Sequence, residues 1–332
     1  MTRKIVFALM IVSLLLLASC SSGGTNRGFG KGSSTNNDET FLLGTRGLDI
    51  KLADAGEVVI PAGESILFDV ILENFGRESI QVDLKLTGYD PNYLKYSTPF
   101  QGVSVPLSLQ GKSRYGPGEQ SYITVRSDVT NLATGIPVPS GLAGPPSPNQ
   151  IPRLKQPTTI NACYKEKTRI QVPVCIDLDP LRDGPCPTEN TVSLSEGQGG
   201  PIGISTLQYK SYRKDQSTVR LNLDMTFEQF DDSNNAKVFK DTEDPCNFAS
   251  RPSPQFEDDV KLMYNYQNGA LICPGLSDQS GSIGYFDLER RPTIRCYADI
   301  QAQGDSLNTL LDLTLDYTMW HSITQPIVIE QY

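Results

Sequence analysis

The 332-residue sequence predicts an all-β protein, and three observations predict it. Apolar residues alternate with polar ones at period two along several long stretches. No stretch past residue 40 holds a 3.6-residue apolar period for three turns. Proline and glycine, 23 and 28 residues, punctuate nearly every gap between the alternating runs. Period two is the signature of a strand with one face in a core and one in water. Recurrence of such strands between Gly/Pro breaks points to sandwiches.

The chain begins with something else. Arg3 and Lys4 form a short basic start, and Ile5 to Ala18 is almost wholly apolar. That run is shorter than the roughly 20 residues a stable membrane span requires, so it reads as a secretory signal. Leu17-Ala18-Ser19-Cys20 resembles the lipobox of prokaryotic lipoprotein signal peptides. The resemblance implies that Cys20 takes a thioether-linked diacylglycerol and that residues 1–19 are removed. A plain secretory signal or an uncleaved anchor are the alternatives. Residues 20–41 then carry the lipidated cysteine and a Gly/Ser-rich tether with Phe29 as its one large apolar side chain up to residue 40. Such a chain cannot bury enough surface to offset its ordering entropy, and its composition suits a flexible spacer.

The body's strands follow in order. In "SILFDVILENFG" the apolar set is Ile66, Phe68, Val70 and Leu72; in "IQVDLKL" it is Ile80, Val82, Leu84 and Leu86. "GYDPNYLKYSTPF" groups Tyr89, Tyr93, Tyr96 and Phe100 in an expected loop. Aromatics on loops make binding anchors through their large rigid area, and they also plug the open end of a sandwich. After the proline-rich "SGLAGPPSPNQIPRLKQP", residues 158–176 read as the last long strand of the first half. "STVRLNLDMTFEQF" places Val219, Leu221, Leu223, Met225 and Phe227 on one face, and "QFDDSNNAK" reads as a hairpin turn. "LLDLTLDYTMW" does the same with Leu311, Leu313, Leu315, Tyr317 and Met319.

The two halves share a layout: a short first strand, a long alternating strand, a polar turn and another strand. "FDVILENFGRESIQVDLKL", with its N-x-G turn, resembles CARDB-like and related immunoglobulin-like domains of prokaryotic surface proteins. The wider layout, with "GQGGPIGI" opening the second half, is similar to that of archaeal cell-surface proteins of uncharacterised role. The resemblance implies two tandem immunoglobulin-like β-sandwiches, residues 42–178 and 189–332, joined by a linker at 179–188.

Removal of residues 1–19 leaves 27 basic and 38 acidic residues, a net charge of −11. Such a body repels phosphate backbones, which excludes nucleic acid as the expected partner. It also repels anionic lipid, so the lipid on Cys20 is what holds the protein at the cell membrane, facing the exterior or the periplasm. Six further cysteines, Cys163, Cys175, Cys186, Cys246, Cys273 and Cys296, are an even set and are expected to form disulfides. Six cysteines allow fifteen pairings, which the sequence does not fix. The pairing expected is Cys273 with Cys296 and Cys175 with Cys186, leaving Cys163 with Cys246.

Candidate chemistry is sparse. His321 is the one histidine. Ser322 beside it points to the opposite face of a strand and is badly placed as its partner. No G-x-S-x-G, P-loop or H-E-x-x-H occurs. "DLDPLRDG" offers Asp177, Asp179 and Asp183 to a calcium ion, as hard cations favour several carboxylates on one turn. Leu181 and Thr188 stand where a calcium loop places ligands, and a solvated turn started by Asp179-Pro180 is the simpler reading. The expected protein is therefore not an enzyme and carries no cofactor other than possible calcium. It is a lipid-anchored surface protein with a structural or protein-binding role, meeting other surface proteins or surface glycans. The alternative is a carbohydrate- or peptide-binding lipoprotein serving uptake or wall attachment.

Overall fold

Two strands of 25 residues each organise the protein. β8 (Arg153–Asp177) and β17 (Ser306–Glu330) pair antiparallel along their whole length, from Arg153 opposite Glu330 to Asp177 opposite Ser306. At ~3.3 Å per residue the pair runs for about 80 Å. A computed structural model describes residues 46–330, except for 55, 98, 101–103, 114–115, 130–152, 182–183, 195–197, 231–235, 241–245, 247–256 and 268–269. The signal segment, Cys20, the tether, most of the proline-rich excursion and the "DDSNN" turn lie outside the described residues. Among the described residues every regular element is a strand.

The long pair forms the centre of a nine-stranded sheet. β4 (Ile80–Thr87) pairs with β8, and β6 (Val105–Leu109) pairs with β4. On the other side β13 (Asp259–Tyr266) pairs with β17, followed by β15 (Ile283–Asp287) and β14 (Ser277–Ser280). β12 (Ala236–Phe239) pairs antiparallel with β17, and β2 (Val58–Pro61) pairs parallel with its end.

Two four-stranded sheets accompany this central sheet. The first has the order β1 (Leu48–Leu52), β3 (Ser65–Asn74), β7 (Gln120–Val129), β5 (Leu94–Tyr96). The second has the order β16 (Thr293–Gln301), β11 (Thr218–Gln229), β10 (Ile202–Arg213), β9 (Glu189–Ser193). The first meets the central sheet where the Leu48 amide donates to the Tyr164 hydroxyl (3.0 Å) and where Tyr96 bonds Thr158. The second meets it where the Phe227 and Phe286 rings pack with centroids 4.6 Å apart.

The alternating faces identified in the sequence are the buried faces. Ile66 to Leu72, Ile80 to Leu86, Val219 to Phe227 and Leu311 to Met319 all belong to the core at every second position. Their burial is the main favourable term for folding, at ~25 cal/mol per Å² of apolar surface.

The expected division into two separate sandwiches is corrected in one respect. The halves have one four-stranded sheet each, but they share the central sheet. β17 belongs to the second half by sequence, yet pairs with β8 and β2 of the first. All described residues fall in one compact unit, Thr40–Tyr332. The physical reason is the length of β8, which reads as the closing strand of one sandwich but continues as the floor of both. Three disulfides, Cys163–Cys246, Cys175–Cys186 and Cys273–Cys296, bridge sequence separations of 83, 11 and 23 residues.

Candidate functional site

The residues singled out from the sequence fall in different places. Tyr96 and Phe100 are buried, while Tyr89 and Tyr93 are partly buried and pack against the core. The Tyr89 and Tyr96 rings meet edge to face with centroids 4.6 Å apart. Burial pushes the Tyr96 hydroxyl well above the ordinary tyrosine pKa. Tyr96 and Phe100 are therefore core residues rather than exposed anchors, because their rings gain more from the core than from water, while Tyr89 and Tyr93 keep part of their surface exposed.

The acidic turn divides its carboxylates between the interior and the surface. Asp177 is 1% exposed. Its Oδ1 accepts from the Asp179 amide at 2.9 Å. The Asp179 carboxylate is bonded by Arg213 Nη1 at 3.0 Å, a cation already in place. Asp183 lies outside the described residues. Among the described residues no three His, Cys, Asp or Glu side chains are grouped to hold a metal.

His321 and Ser322 diverge as strand geometry requires. His321 Nε2 lies 3.3 Å from the Tyr164 hydroxyl on the buried face. Ser322 Oγ donates to Asn161 Oδ1 at 2.8 Å and accepts from Trp320 Nε1 on the other.

The most unusual chemistry lies inside. One face of the β8–β17 pair is buried from Thr158 to Ile176, and Glu166 sits near its middle, opposite Tyr317. Glu166 is 1% exposed, and neither carboxyl oxygen has a hydrogen-bond partner. Burial raises its pKa well above the usual carboxylate range, and the neighbouring Glu78 raises it further. Burial therefore favours the neutral form of this carboxyl. Tyr317 beside it bonds Thr168 Oγ1 at 2.8 Å; burial first, then Glu166, pushes its hydroxyl pKa far up.

Two motifs conspicuous in the sequence converge on this carboxyl. In the N-x-G turn, Asn74 Oδ1 accepts from the Gly76 amide at 2.9 Å, and Asn74 Nδ2 donates to the Glu78 and Leu109 carbonyls. A Cβ on Gly76 would lie 3.2 Å from Glu166 Oε1. From the second half, Gly199 accepts the Arg77 amide at 2.9 Å. Gly200 packs so close that a Cβ there would lie 2.3 Å from Thr168 Oγ1 and 3.0 Å from the Tyr317 hydroxyl. The two halves of the chain thus meet over a buried carboxyl.

An open hollow of about 710 Å³ lies against β11 and β15, lined by Glu228, Glu257, Asp258, Asp287, Glu289 and Arg290. Asp258 has φ 67°, in the left-handed region. Burial, then Glu257, Glu289 and Asp287, raises its pKa to about 6. Lys237 pairs with Glu257 and Arg290 with Asp287, which relieves part of the repulsion. This hollow was not foreseen, since its carboxylates are scattered over 62 positions of sequence and no motif joins them.

No protein-family model and no curated protein matches the chain. Among solved structures, the secreted serine protease VesC from Vibrio cholerae is similar at 6% identity and a TM-score of 0.20. That match covers 83% of this chain and 50% of the protease, so the chain spans about half of the protease's length. A DUF4466 family protein from Parabacteroides merdae is similar at 10% identity and a TM-score of 0.14, over 82% of this chain and 99% of that one. With a secreted protease among these neighbours, the expectation that this chain is not an enzyme is not retained. At these TM-scores neither likeness carries an argument for an activity.

Proposed function

We propose that the chain is a lipid-anchored surface protein with a structural or protein-binding role, either an adhesive stalk or a subunit of a surface assembly. The observation that carries this reading is the uninterrupted β8–β17 pair. Strands of 25 residues are several times the common length of about 5–6. Two sandwiches on one such floor make a stiff spacer, because bending between them must break ladder hydrogen bonds rather than flex a linker. Three disulfides support an oxidising compartment. The tether of residues 20–41 then gives the stiff body its reach from the membrane.

Intact cells treated with a membrane-impermeant amine label test this. The wild-type chain is expected to be labelled, to pellet with membranes and to incorporate a fatty-acid analogue. Cys20→Ser is expected to lose the analogue and either leave the membrane or persist as uncleaved precursor. A wild-type chain found unlabelled in the soluble cell contents, with its thiols reduced, would refute the reading. A second reading, carbohydrate binding at the surface, is favoured by one feature of the second four-stranded sheet.

A further inference from the structure

We propose that the outward face of the sheet β16-β11-β10-β9 binds an uncharged oligosaccharide. The face carries a groove of about 370 Å³ that crosses all four strands. Strand register arranges its side chains in rows. Gln208, Asp224 and Arg295 lie side by side in one row, and Lys210, Asn222 and Tyr297 in the next. Side chains directly opposite on a sheet face stand about 5 Å apart, and successive rows are ~7 Å apart along the strand. Asn222 is thus ringed by donors and acceptors on rigid elements rather than on loops, the arrangement that best preserves a site's geometry.

The charges in the groove cancel in place. Lys210 Nζ lies 2.9 Å from Glu189, and Arg295 lies 3.6 Å from Asp224. An ionic ligand would have to displace one of these partners, so the groove selects neither anions nor cations. What remains open to a ligand is neutral: Gln208 is exposed and Asn222 half-buried on this face, and no hydrogen bond holds either side-chain amide to another of the described residues. Each amide offers two donors and one acceptor oxygen. A sugar hydroxyl donates once and accepts twice, so a polyhydroxylated ligand matches a mixed lattice of amide, carboxylate and guanidinium groups without adding charge.

The apolar margin of the groove is fixed in advance. Arg220 lies over the Tyr297 ring, 4.6 Å from its centroid. Arg220 is itself held by both oxygens of Asp299, at 2.6 and 2.9 Å, and Asp299 also binds Lys214 at 2.7 Å. The Tyr297 backbone exchanges two hydrogen bonds with Ile272, at 2.9 and 2.8 Å, and the adjacent Cys296 is bonded to Cys273. Ile272 remains 42% exposed beside this ring. With one face of the half-buried Tyr297 ring taken by Arg220, the rest of that ring and Ile272 offer carbon surface to the C–H face of a sugar ring, while the amides bind its hydroxyls. The Arg220, Asp299 and Lys214 side chains at this margin have little freedom left to lose on binding.

This site goes beyond the structural role proposed above and does not depend on the anchor, so its test is made in solution. The full chain, solubilised in detergent, is applied to an array of uncharged oligomers of glucose, mannose, galactose and N-acetylglucosamine. Sulfated oligosaccharides and unstructured peptides are included on the same array. Binding to at least one uncharged oligomer is expected, with little change between about 50 and about 500 mM salt because no net charge is matched. For that oligomer Asn222→Ala and Tyr297→Ala are each expected to weaken binding by about tenfold or more, equivalent to ~1.4 kcal/mol. Asn222→Ser and Tyr297→Phe, with unchanged thermal midpoints, guard against loss of fold; the first is expected to weaken binding and the second to retain most of it. Absence of binding to every uncharged oligomer overturns the proposal. So does binding confined to peptides or sulfated sugars, or binding that folded Asn222 and Tyr297 variants leave unchanged.

Discussion

Replacing Glu166 with glutamine should remove a pH dependence of stability. The wild-type carboxyl is buried, and burial raises its pKa well above the ordinary value of 4.5 at which it titrates in the unfolded chain. A folded-state pKa above the unfolded one gives stability that is fully present below the unfolded value and is lost as pH rises through the folded value. Between the two, the native state binds one proton more than the unfolded state. Wild-type stability should therefore fall by about 1.4 kcal/mol for each pH unit across that window. Glu166→Gln has nearly the same shape and no proton to lose, so this component of the slope disappears. Urea unfolding at half-unit steps from pH 4.5 to pH 9 measures both proteins, and the quantity to plot is the difference between them. Subtraction cancels other groups that titrate in the range, Asp258 among them, whose pKa is raised to about 6. The variant is expected to gain on the wild type steadily as pH rises and to lose that advantage at the acid end. A difference that stays flat with pH would mean that Glu166 ionises freely in the folded protein, and that the junction is wet or finds the carboxylate a partner.

Three further outcomes follow from the same structure. Converting Cys163 and Cys246 together to alanine opens a link across 83 residues, which the chain-entropy treatment values at about 4.5 kcal/mol, and the loss should appear as a lower denaturant midpoint under non-reducing conditions. Leu315, fully buried at the centre of β17 between Leu262 and Thr168, should cost ~2–5 kcal/mol when cut to alanine. Hydrogen exchange should then speed up in both four-stranded sheets, and faster exchange in only one would argue for two independent sandwiches. Asp258→Gly should stabilise by about 1 kcal/mol, since glycine adopts φ 67° without penalty. That gain should grow as pH rises through about 6, where the aspartate ionises among Glu257, Glu289 and Asp287, and chemical denaturation at pH 5 and pH 8 compares the two.

Local pattern made the strands legible and left their partners hidden. Ile66 to Leu72 and Val219 to Phe227 alternate because each strand has one dry face, and that periodicity needs no knowledge of what lies across it. β8 has the same alternation from Ile160 to Ile176, with Glu166 and Thr168 in the buried row. Its role as a shared floor was not legible, since the partner strand begins 129 positions after β8 ends. The N-x-G turn was visible as a turn, but its function as a cover over Glu166 depends on Gly199 and Gly200 arriving from the other half. The groove was hidden for a related reason. Arg220, Asn222 and Asp224 read simply as water-facing, and the order β16-β11-β10-β9, which sets their neighbours, is not the order of the chain. The aromatic cluster from Tyr89 to Phe100 was legible as a cluster only, because an exposed loop and a capped sandwich end have the same local composition.

The last strand also sets the order in which the protein can come into being. Gln325 bonds the Gly56 carbonyl at 2.6 Å across 269 residues, and β2 pairs with Ile327 to Glu330, its one partner strand among the described residues. Contacts of this span form slowly, because a long loop must close before they repay it. A ribosome delivers β17 129 positions after β8 is complete, so β8 lacks its long partner throughout that interval. The nascent chain must stay open, with its alternating strands exposed to wrong partners, until β17 arrives. A stop codon anywhere within codons 306–330 would then reach far beyond its own strand: it would remove the partner on which both earlier halves are waiting to close.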